Sequence, residues 1–428
     1  MCPTKEILPN QFFSAPSKEE LKKTYVGKHV AELPTPSLLI DRPVFAANCL
    51  RMLENAAKLK VDFRCHIKTH KTVEGTLLEL GYGLDGNPHN ATSKIVVSTL
   101  AEAWATLPLI QDKKIDNVLY GLPVAKLRLG ELYEFSKVVP TLIVMTDSVE
   151  QIDAMVEFSR LQSIKWNIFI KVDVGTARAG RVYDSSELKL LIEHALSADV
   201  REHISIYGLY GHCGHSYKAR DKAAAQECFV EEVKKTSYAL KVIREIDLKL
   251  RPVVSVGATP TAHFASEIDS TQTLQSILGE DSCENLELHA GNYACCDLQQ
   301  VGTGLVAEEN TSLFVLAEIL SSYPQRNNFV PGEQLINAGC IALGREPGPF
   351  PGFGKIVDPL KYGQWIVKSV SQEHGILSPE QEDCSFIPYG TKVKILPQHA
   401  CITAAAHGWY FAVENDIVVD IWVPTKFW

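Results

Sequence analysis

The chain has 428 residues, 46% of them hydrophobic and 22% charged, which is ordinary for a globular protein and long enough for two domains. Its formal net charge of −9 gives no reason to expect nucleic acid or an anionic membrane as a partner. No apolar run is long enough to span a bilayer, the first residues lack the pattern of a secretory signal, and the 11 cysteines follow no regular spacing. We therefore expect a cytoplasmic protein with reduced thiols.

The first 300 residues alternate between short β-rich runs and longer helical ones. Residues 1–34 are polar and interrupted by prolines, which predicts an N-terminal extension. A strand at 35–41 and a helix at 42–59 follow. Eight further strands are predicted, at 62–68, 94–100, 116–122, 140–146, 166–174, 204–212, 251–257 and 285–291.

Eight β–α units of this length predict an α/β fold, a (β/α)8 TIM-type barrel over residues 35–300. The segment 35–41 could instead pair with the domain that follows. A doubly wound open sheet is the alternative, and it is disfavoured because no Gly-rich dinucleotide fingerprint follows the first strand.

Beyond residue 300 helical signals become sparse. The remaining residues predict a C-terminal all-β domain over 301–428, with β-rich runs at 311–323, 334–343, 361–377, 391–403, 408–416 and 417–425.

The carboxyl ends of the strands face the active site in barrels of this kind, and there the predicted strands carry reactive residues. Lys68 closes an alternating run in which Arg64 and His66 share its face. The turn SVGATPT, with Gly257 and Thr259, is of a type that binds phosphate. A strand-end lysine near phosphate donors favours pyridoxal 5'-phosphate (PLP) as cofactor. The alternatives are a solvated surface lysine and an ordinary helix-capping turn.

A second pair of candidate ligands lies in the β domain. His399 and Cys401 are two residues apart, so on a strand both side chains would project to the same side. Imidazole with thiolate suits Zn²⁺, and two protein ligands would leave positions for water and substrate. Chance or core packing explains most pairs of this kind, so the spacing alone is a weak signal.

Five stretches in this order, RCHIKTHKT, GLYGHCGHSY, SVGATPT, HAGNY and PQHACIT, resemble the zinc-dependent eukaryotic D-serine dehydratases, a group of fold-type III PLP enzymes. The resemblance extends from about residue 35 to the C-terminus. It implies that Lys68 carries PLP and that His399 and Cys401 bind Zn²⁺. It also implies cofactor contacts from Tyr210, Tyr217, Gly257, Thr259, Gly291, Asn292 and Arg178.

The resemblance further implies the reaction, in which D-serine, or D-threonine, is dehydrated and deaminated. Lys68 would be the Schiff-base lysine and the α-proton base, and zinc would activate the β-hydroxyl leaving group. It also implies a homodimer in which the β domain of one chain completes the other's site. Lys71 is expected to be a support or rim charge, and the role of His70 is open.

Other chemistries are known on this scaffold. The alternatives are a D-threonine aldolase, an amino-acid racemase and a non-catalytic protein of PLP homeostasis. Cys401 argues against the aldolase, whose relatives pair the metal histidine with a carboxylate. The β domain argues against the homeostasis protein, which resembles the barrel alone.

Overall fold

The computed structural model describes residues 15–84, 91–279, 285–328 and 330–426. Contacts divide the chain into two compact units. The first consists of Cys49–Gly291 with Thr425 and Lys426, and the second of the described chain up to Asn48 with Asn292–Pro424. The first 14 residues of the expected N-terminal extension lie outside the described residues. Within the described ranges, no helix combines the length and the apolar character needed to cross a membrane.

The strands, in chain order, are β1 (Ser37–Asp41), β2 (Asp62–His66), β3 (Lys94–Val97), β4 (Asn117–Pro123), β5 (Thr141–Thr146), β6 (Trp166–Asp173), β7 (Arg181–Val182), β8 (Ile204–Tyr210), β9 (Val253–Val256), β10 (Leu286–Ala290), β11 (Leu313–Pro324), β12 (Gly332–Ile336), β13 (Gly354–Asp358), β14 (Trp365–Val370), β15 (Gly375–Pro379), β16 (Lys392–Pro397), β17 (Tyr410–Glu414) and β18 (Ile417–Trp422).

The α-helices are α1 (Lys18–Tyr25), α2 (Arg42–Leu59), α3 (Val73–Glu79), α4 (Leu100–Ala105), α5 (Leu107–Gln111), α6 (Leu129–Ser136), α7 (Val149–Gln162), α8 (Ser186–Ala195), α9 (Ala198–Arg201), α10 (Lys222–Ile246), α11 (Thr259–Ala265), α12 (Thr271–Leu278), α13 (Leu298–Val301), α14 (Cys340–Leu343) and α15 (Ala400–Ala406). Short 3-10 helices occur at Val30–Glu32, Lys126–Arg128, Gly214–Lys218, Glu308–Asn310, Arg326–Asn328 and Leu360–Tyr362.

Eight parallel strands close into a barrel in the first unit. Their order is β2, β3, β4, β5, β6, β8, β9 and β10, and β10 pairs with β2 to complete the ring. The strands form because they are short apolar runs such as TLIVMT in β5, which is buried almost throughout, as parallel strands covered on both faces require. The predicted (β/α)8 barrel is confirmed, and each of the eight predicted barrel strands has a counterpart.

The amino-terminal side of the barrel interior is closed by a buried ion pair. The Arg64 guanidinium is fully buried, and its Nε and Nη2 donate to the two carboxylate oxygens of Glu287 at 2.8 and 3.1 Å. Its Nη1 donates to Asn117 Oδ1 at 2.7 Å. Since the charges are paired and hydrogen-bonded, they can be buried here without an uncompensated desolvation cost.

The second unit is built on a mostly antiparallel sheet of nine strands, in the order β12-β15-β14-β13-β16-β11-β1-β17-β18. Strand β1, from the segment 35–41, lies inside this sheet, antiparallel to β11 and parallel to β17. Its Leu39 side chain joins a core cluster with residues of β11, β17 and β18. The predicted all-β architecture is thus confirmed, and β1 is part of it.

Two local predictions in this unit were wrong in part, and one strand was missed. The run 334–343 ends in helix α14 rather than a strand, and the run 391–403 contains helix α15 after β16 ends at Pro397. The segment ACITAAA is rich in alanine, which favours a helix, although the β-rich residues before it suggested a strand. Strand β13 was missed, because the Gly and Pro turn signals just before it mask so short a strand.

Candidate active site and metal centre

Lys68 lies in the turn that immediately follows β2, two residues beyond the end of the strand at His66. The strand is therefore shorter than predicted, and the lysine projects from the carboxyl end of the barrel instead of from within it. A Cβ atom added at Gly291, just after β10, would lie 3.5 Å from Lys68 Cε and 3.2 Å from the His66 carbonyl oxygen. The glycine thus leaves room for the lysine side chain.

Lys68 and Lys71 have different surroundings. The Lys71 ammonium lies 3.0 Å from Glu102 Oε1, and the Glu102 side chain is buried. The other oxygen of Glu102 accepts the Ser98 amide at 2.9 Å. No ion pair forms with Lys68 in the part of the chain that the structure describes. The amine of Lys68 is therefore not committed to a carboxylate, whereas that of Lys71 is.

His70 anchors the turn after β2. Its Nε2 lies 3.2 Å from Glu79 Oε2 of α3, and both side chains are fully buried. Its Nδ1 meets Thr72 Oγ1 at 3.0 Å. Burial raises the pKa of Glu79, and the adjacent imidazole opposes that rise. His70 thus binds the turn to α3.

The same nearby cations act on the rings of His66 and His212. The His66 ring pairs with Ser98, and His212 Nδ1 lies 2.7 Å from the Gly257 carbonyl oxygen. Burial lowers the pKa of both rings well below its ordinary value, and the charges of Lys68 and Arg178 lower it further. Both imidazoles are therefore neutral near pH 7.

Tyr210, at the end of β8, stacks on His289, with ring centroids 4.0 Å apart. His289 Nδ1 lies 3.0 Å from Ser255 Oγ, whereas its buried Nε2 has no hydrogen-bond partner among the described residues. Burial lowers the pKa of His289 and raises that of the Tyr210 hydroxyl. These rings form a polar, uncharged wall at the carboxyl end of the barrel.

Lys171 in β6 is a site residue that the sequence analysis missed. Its side chain is buried, and its ammonium lies 4.3 Å from the centroid of the Tyr210 ring. Burial lowers its pKa to about 7, helped by the charge of the exposed Arg178 and opposed by Glu232. A lysine within the apolar run WNIFIKVDV was the signal that could have identified it.

Glu232 in α10 is the second missed residue. It is fully buried, and its Oε1 accepts the backbone amides of Cys213 and Gly257 at 2.8 and 2.9 Å. Its Oε2 accepts the Thr261 hydroxyl at 2.9 Å. Burial raises its pKa to about 7 although these donors favour the ionised form. One carboxyl group thereby joins the loops after β8 and β9, a connection that sequence spacing does not show.

The predicted phosphate turn has little space for side chains. A Cβ at Gly257, where φ is +156°, would lie 1.8 Å from the His289 carbonyl oxygen. Thr259 begins α11 and is buried. Tyr217 lies half-buried in the 3-10 helix Gly214–Lys218. Asn292 belongs to the second unit, where its side chain donates to Asp297.

His399 and Cys401 are brought together in the second unit, although not by a strand. His399 is the N-cap of α15 and Cys401 is its second residue, and their side chains are hydrogen-bonded. His399 Nδ1 also contacts the Glu346 carboxylate. The buried Asp297 accepts the amide of Ala400, between the two, at 2.8 Å. Burial works against the charged imidazole, but Cys401, Asp297 and Glu346 prevail and raise the pKa of His399 to about 10.

Comparison with known proteins shows the family of this chain. The model described as "Alanine racemase, N-terminal domain" matches residues 40–273, and the model described as "Putative serine dehydratase domain" matches residues 312–413. A protein of Schizosaccharomyces pombe named D-serine dehydratase is 44% identical over 423 residues, which cover 98% of each chain. This chain belongs to the D-serine dehydratase family. A protein of Saccharomyces cerevisiae that is also named D-serine dehydratase is 40% identical, and the match covers 94% of this chain and 98% of that protein.

Solved structures of other enzymes share the fold of this family member. The D-threo-3-hydroxyaspartate dehydratase from Delftia sp. HT23 has a TM-score of 0.78 and 27% identity, with 94% of this chain and 100% of that one covered. An alanine racemase from Bacillus anthracis has a TM-score of 0.60 at 12% identity, which is a likeness of fold alone. The predicted family and fold class are both confirmed.

Proposed function

We propose that this chain converts D-serine to pyruvate and ammonia, using PLP carried by Lys68 and Zn²⁺ held by His399 and Cys401. The main support is the 44% identity, over 98% of both chains, with a protein named D-serine dehydratase. The two family models contain the two proposed centres, since one spans Lys68 and the other spans His399 and Cys401.

The surroundings of Lys68 suit an anionic cofactor. The positive charges of Lys68 and Arg178 act on both imidazoles, His66 and His212, and that of Lys171 acts on His212. A phosphate ester and a substrate carboxylate would offset the mutual repulsion of these cations. PLP bound here would supply the electron sink that stabilises negative charge at Cα of the substrate.

Lys68 is the residue that we assign to proton transfer. Its amine has no ion-pair partner in the described part of the chain and lies beside Gly291, where no side chain obstructs it. A lysine can both hold the cofactor and take the α-proton, because its neutral amine is a base once it is free. Lys71 cannot take this role while it is paired with Glu102.

The other predicted cofactor contacts remain proposals: Tyr210 and Tyr217 for the ring and phosphate, and Gly257, Thr259, Gly291, Asn292 and Arg178 for the phosphate and its surroundings. The Gly257 amide already donates to Glu232. We therefore assign to Gly257 the role of leaving space, and to Thr259 that of donating to the phosphate.

The residues around His399 suit a metal. A carboxylate that contacts the second ring nitrogen, as Glu346 contacts Nδ1, is the usual support of a metal-binding histidine. Imidazole and thiolate together match the preferences of Zn²⁺, whose Lewis acidity would help the β-hydroxyl to leave. Among the solved relatives, alanine variants of D-threo-3-hydroxyaspartate dehydratase replace a histidine and a cysteine two positions later, the same spacing as His399 and Cys401. The cysteine variant is in a metal-free form.

A homodimer and a cytoplasmic location complete the proposal. The dimer rests on the resemblance to fold-type III enzymes. The nine cysteines within the described ranges are all free thiols, as expected in a reducing compartment.

Product analysis tests the proposed reaction. The purified protein is incubated with D-serine, L-serine and D-threonine, and pyruvate, 2-oxobutyrate, glycine and acetaldehyde are measured. Pyruvate from D-serine and none from L-serine is expected. Glycine and acetaldehyde as the main products of D-threonine, without pyruvate from D-serine, would identify an aldolase and refute the proposal.

Two variant pairs test the residue assignments. Lys68→Ala should lose the visible absorbance of lysine-bound PLP, whereas Lys71→Ala should keep it. Cys401→Ala should lose the zinc of the His399 centre and pyruvate formation but keep the absorbance, and Cys340→Ala is its matched half-buried control. The lysine assignment is refuted if the absorbance follows Lys71 instead.

A further inference from the structure

Two cysteines and a histidine converge in the first unit, whereas the His399–Cys401 pair belongs to the second unit. They are Cys213 in the loop after β8, His215 in the following 3-10 helix and Cys228 in α10. The two Sγ atoms and a ring nitrogen all lie within 4.8 Å of one another. Cys213 is buried, and the other two are half-buried. None of the three was singled out as a ligand by the sequence patterns.

The hydrogen bonds of the cluster leave a nitrogen lone pair directed at a sulfur. Thr176 Oγ1 donates its single proton to the His212 carbonyl oxygen at 2.8 Å, so it can only accept from His215 Nδ1, which lies 3.4 Å away. The proton of the neutral His215 ring is then on Nδ1. Its Nε2, 3.1 Å from Cys213 Sγ, carries the lone pair. This is the tautomer of a metal-binding histidine supported by a hydrogen bond on its other nitrogen.

The backbone around the cluster is held in place. The Cys213 amide donates to Glu232, and the Cys213 carbonyl oxygen accepts the Ser216 hydroxyl at 2.7 Å. Cys228 lies one helical turn before Glu232 on α10, so Cys213, through Glu232, and Cys228 are both held by the same helix. The ligands therefore need little ordering when an ion binds.

We propose that Cys213, His215 and Cys228 form a second zinc site, which ties α10 to the loop that carries His212 and Tyr217. In a tetrahedral zinc site, two sulfurs are about 3.8 Å apart and a sulfur and a nitrogen about 3.5 Å apart. The cluster thus needs to widen by only about 0.4 Å between Cys213 and His215. Two thiolates and one imidazole neutralise the charge of Zn²⁺ and leave one position for water.

Zinc would replace the protons of the two thiols. A metal-bound cysteine is a thiolate, so each thiol releases its proton when the ion binds. The site is independent of the function proposed above, because none of its three ligands is assigned to PLP, substrate or the His399 centre.

Metal content per chain tests the site in the full-length protein with its cofactor bound. Zinc is measured by elemental analysis in the wild type and in Cys228→Ser, His215→Ala and Cys401→Ser, with Cys340→Ser as a control from the other unit. We expect a loss of one zinc per chain in Cys228→Ser and in His215→Ala, and none in Cys340→Ser. Cys401→Ser should keep the zinc that these two variants lose, so a failure of the His399 centre is distinguishable.

A spectroscopic measurement on the wild type guards against variants that fail to fold. Co²⁺ added to metal-free protein should give two binding steps, with thiolate-to-cobalt absorption about twice as strong for the two-cysteine site as for a one-cysteine site. Unchanged zinc in both Cys228→Ser and His215→Ala would overturn the proposal. Peptide mapping that finds a disulfide between Cys213 and Cys228 in the wild type would also overturn it.

Discussion

Replacing Glu232 with alanine should destabilise the protein strongly, because the carboxyl group is the acceptor for two buried loops. The variant leaves the amides of Cys213 and Gly257 without their acceptor, whereas the Thr261 hydroxyl can still donate to the Ala258 carbonyl oxygen at 3.2 Å. Each buried donor left unpaired costs about 1–3 kcal/mol. With the amides alone counted, the free energy of unfolding should fall by about 2–6 kcal/mol. The cofactor site should loosen with it, since His212 and Gly257 are bonded to each other.

Glu232→Gln is the matched control, because its carbonyl oxygen can still accept both amides. The loss in the free energy of unfolding should be under about 1 kcal/mol at pH 5.5. Glutamine also resembles the protonated acid. Comparison of the two proteins across pH therefore reports the protonation of Glu232.

The expected pH dependence follows from the raised pKa of Glu232. Burial raises it from 4.5 to about 7, so between these values the folded state holds a proton that the unfolded state has released. The stabilisation from this group is complete below pH 4.5 and is lost as the pH rises to 7. The wild type should thus lose about 3 kcal/mol relative to Glu232→Gln between pH 4.5 and 8.

Urea unfolding at 25 °C, followed by tryptophan fluorescence and circular dichroism, measures both effects. The wild type, Glu232→Ala and Glu232→Gln are compared at pH 5.5, 7 and 8 at equal cofactor loading. A Glu232→Ala midpoint equal to that of the wild type at pH 5.5 would refute the role of the carboxyl group. A constant difference between the wild type and Glu232→Gln across this pH range would refute the raised pKa.

Three further substitutions have definite expected outcomes. Lys71→Met should lower the unfolding free energy by about 1–2 kcal/mol, since the buried Glu102 loses its cation, and should keep the visible cofactor absorbance; loss of that absorbance would contradict the assignment of the lysines. Gly257→Ala should cost more than about 3 kcal/mol or give no soluble protein, because its Cβ meets the His289 carbonyl oxygen, and a normal thermal unfolding curve would contradict this. The wild type should become more stable between pH 7 and 9.5, because folded Lys171, with a pKa of about 7, has released the proton that the unfolded chain keeps to about pH 10.5. Lys171→Met should abolish this rise, and parallel pH profiles of the melting temperature in the two proteins would refute the prediction.

The cluster of neutral imidazoles around Lys68 explains why the site is not evident from charge alone. His66 ends β2, His212 lies in the loop after β8 and His289 lies in β10, and burial keeps each ring uncharged. The sequence shows three histidines near the carboxyl ends of three predicted strands. Their desolvation depends on the closure of the barrel, which brings β10 against β2.

The period and spacing of apolar runs were enough to predict the barrel strands, because eight short buried runs separated by helices can be buried in few other ways. The same reasoning predicted that Lys68 would reach the mouth of the barrel, since the carboxyl end of a parallel strand must face it. It also distinguished Lys68 from Lys71 by position, although the ion pair with Glu102 that separates them physically was not visible in the sequence.

Only the tertiary structure decided the contacts between residues far apart in the chain. Glu232 lies 19 residues from Cys213 and 25 from Gly257, and no periodic pattern records that one carboxyl group accepts both amides. The juxtaposition of His399 and Cys401 was predicted for the wrong local reason, since a helix N-terminus and not a strand places them together. Sequence patterns report which face of an element is buried, whereas pairing and desolvation depend on what the fold packs against that face.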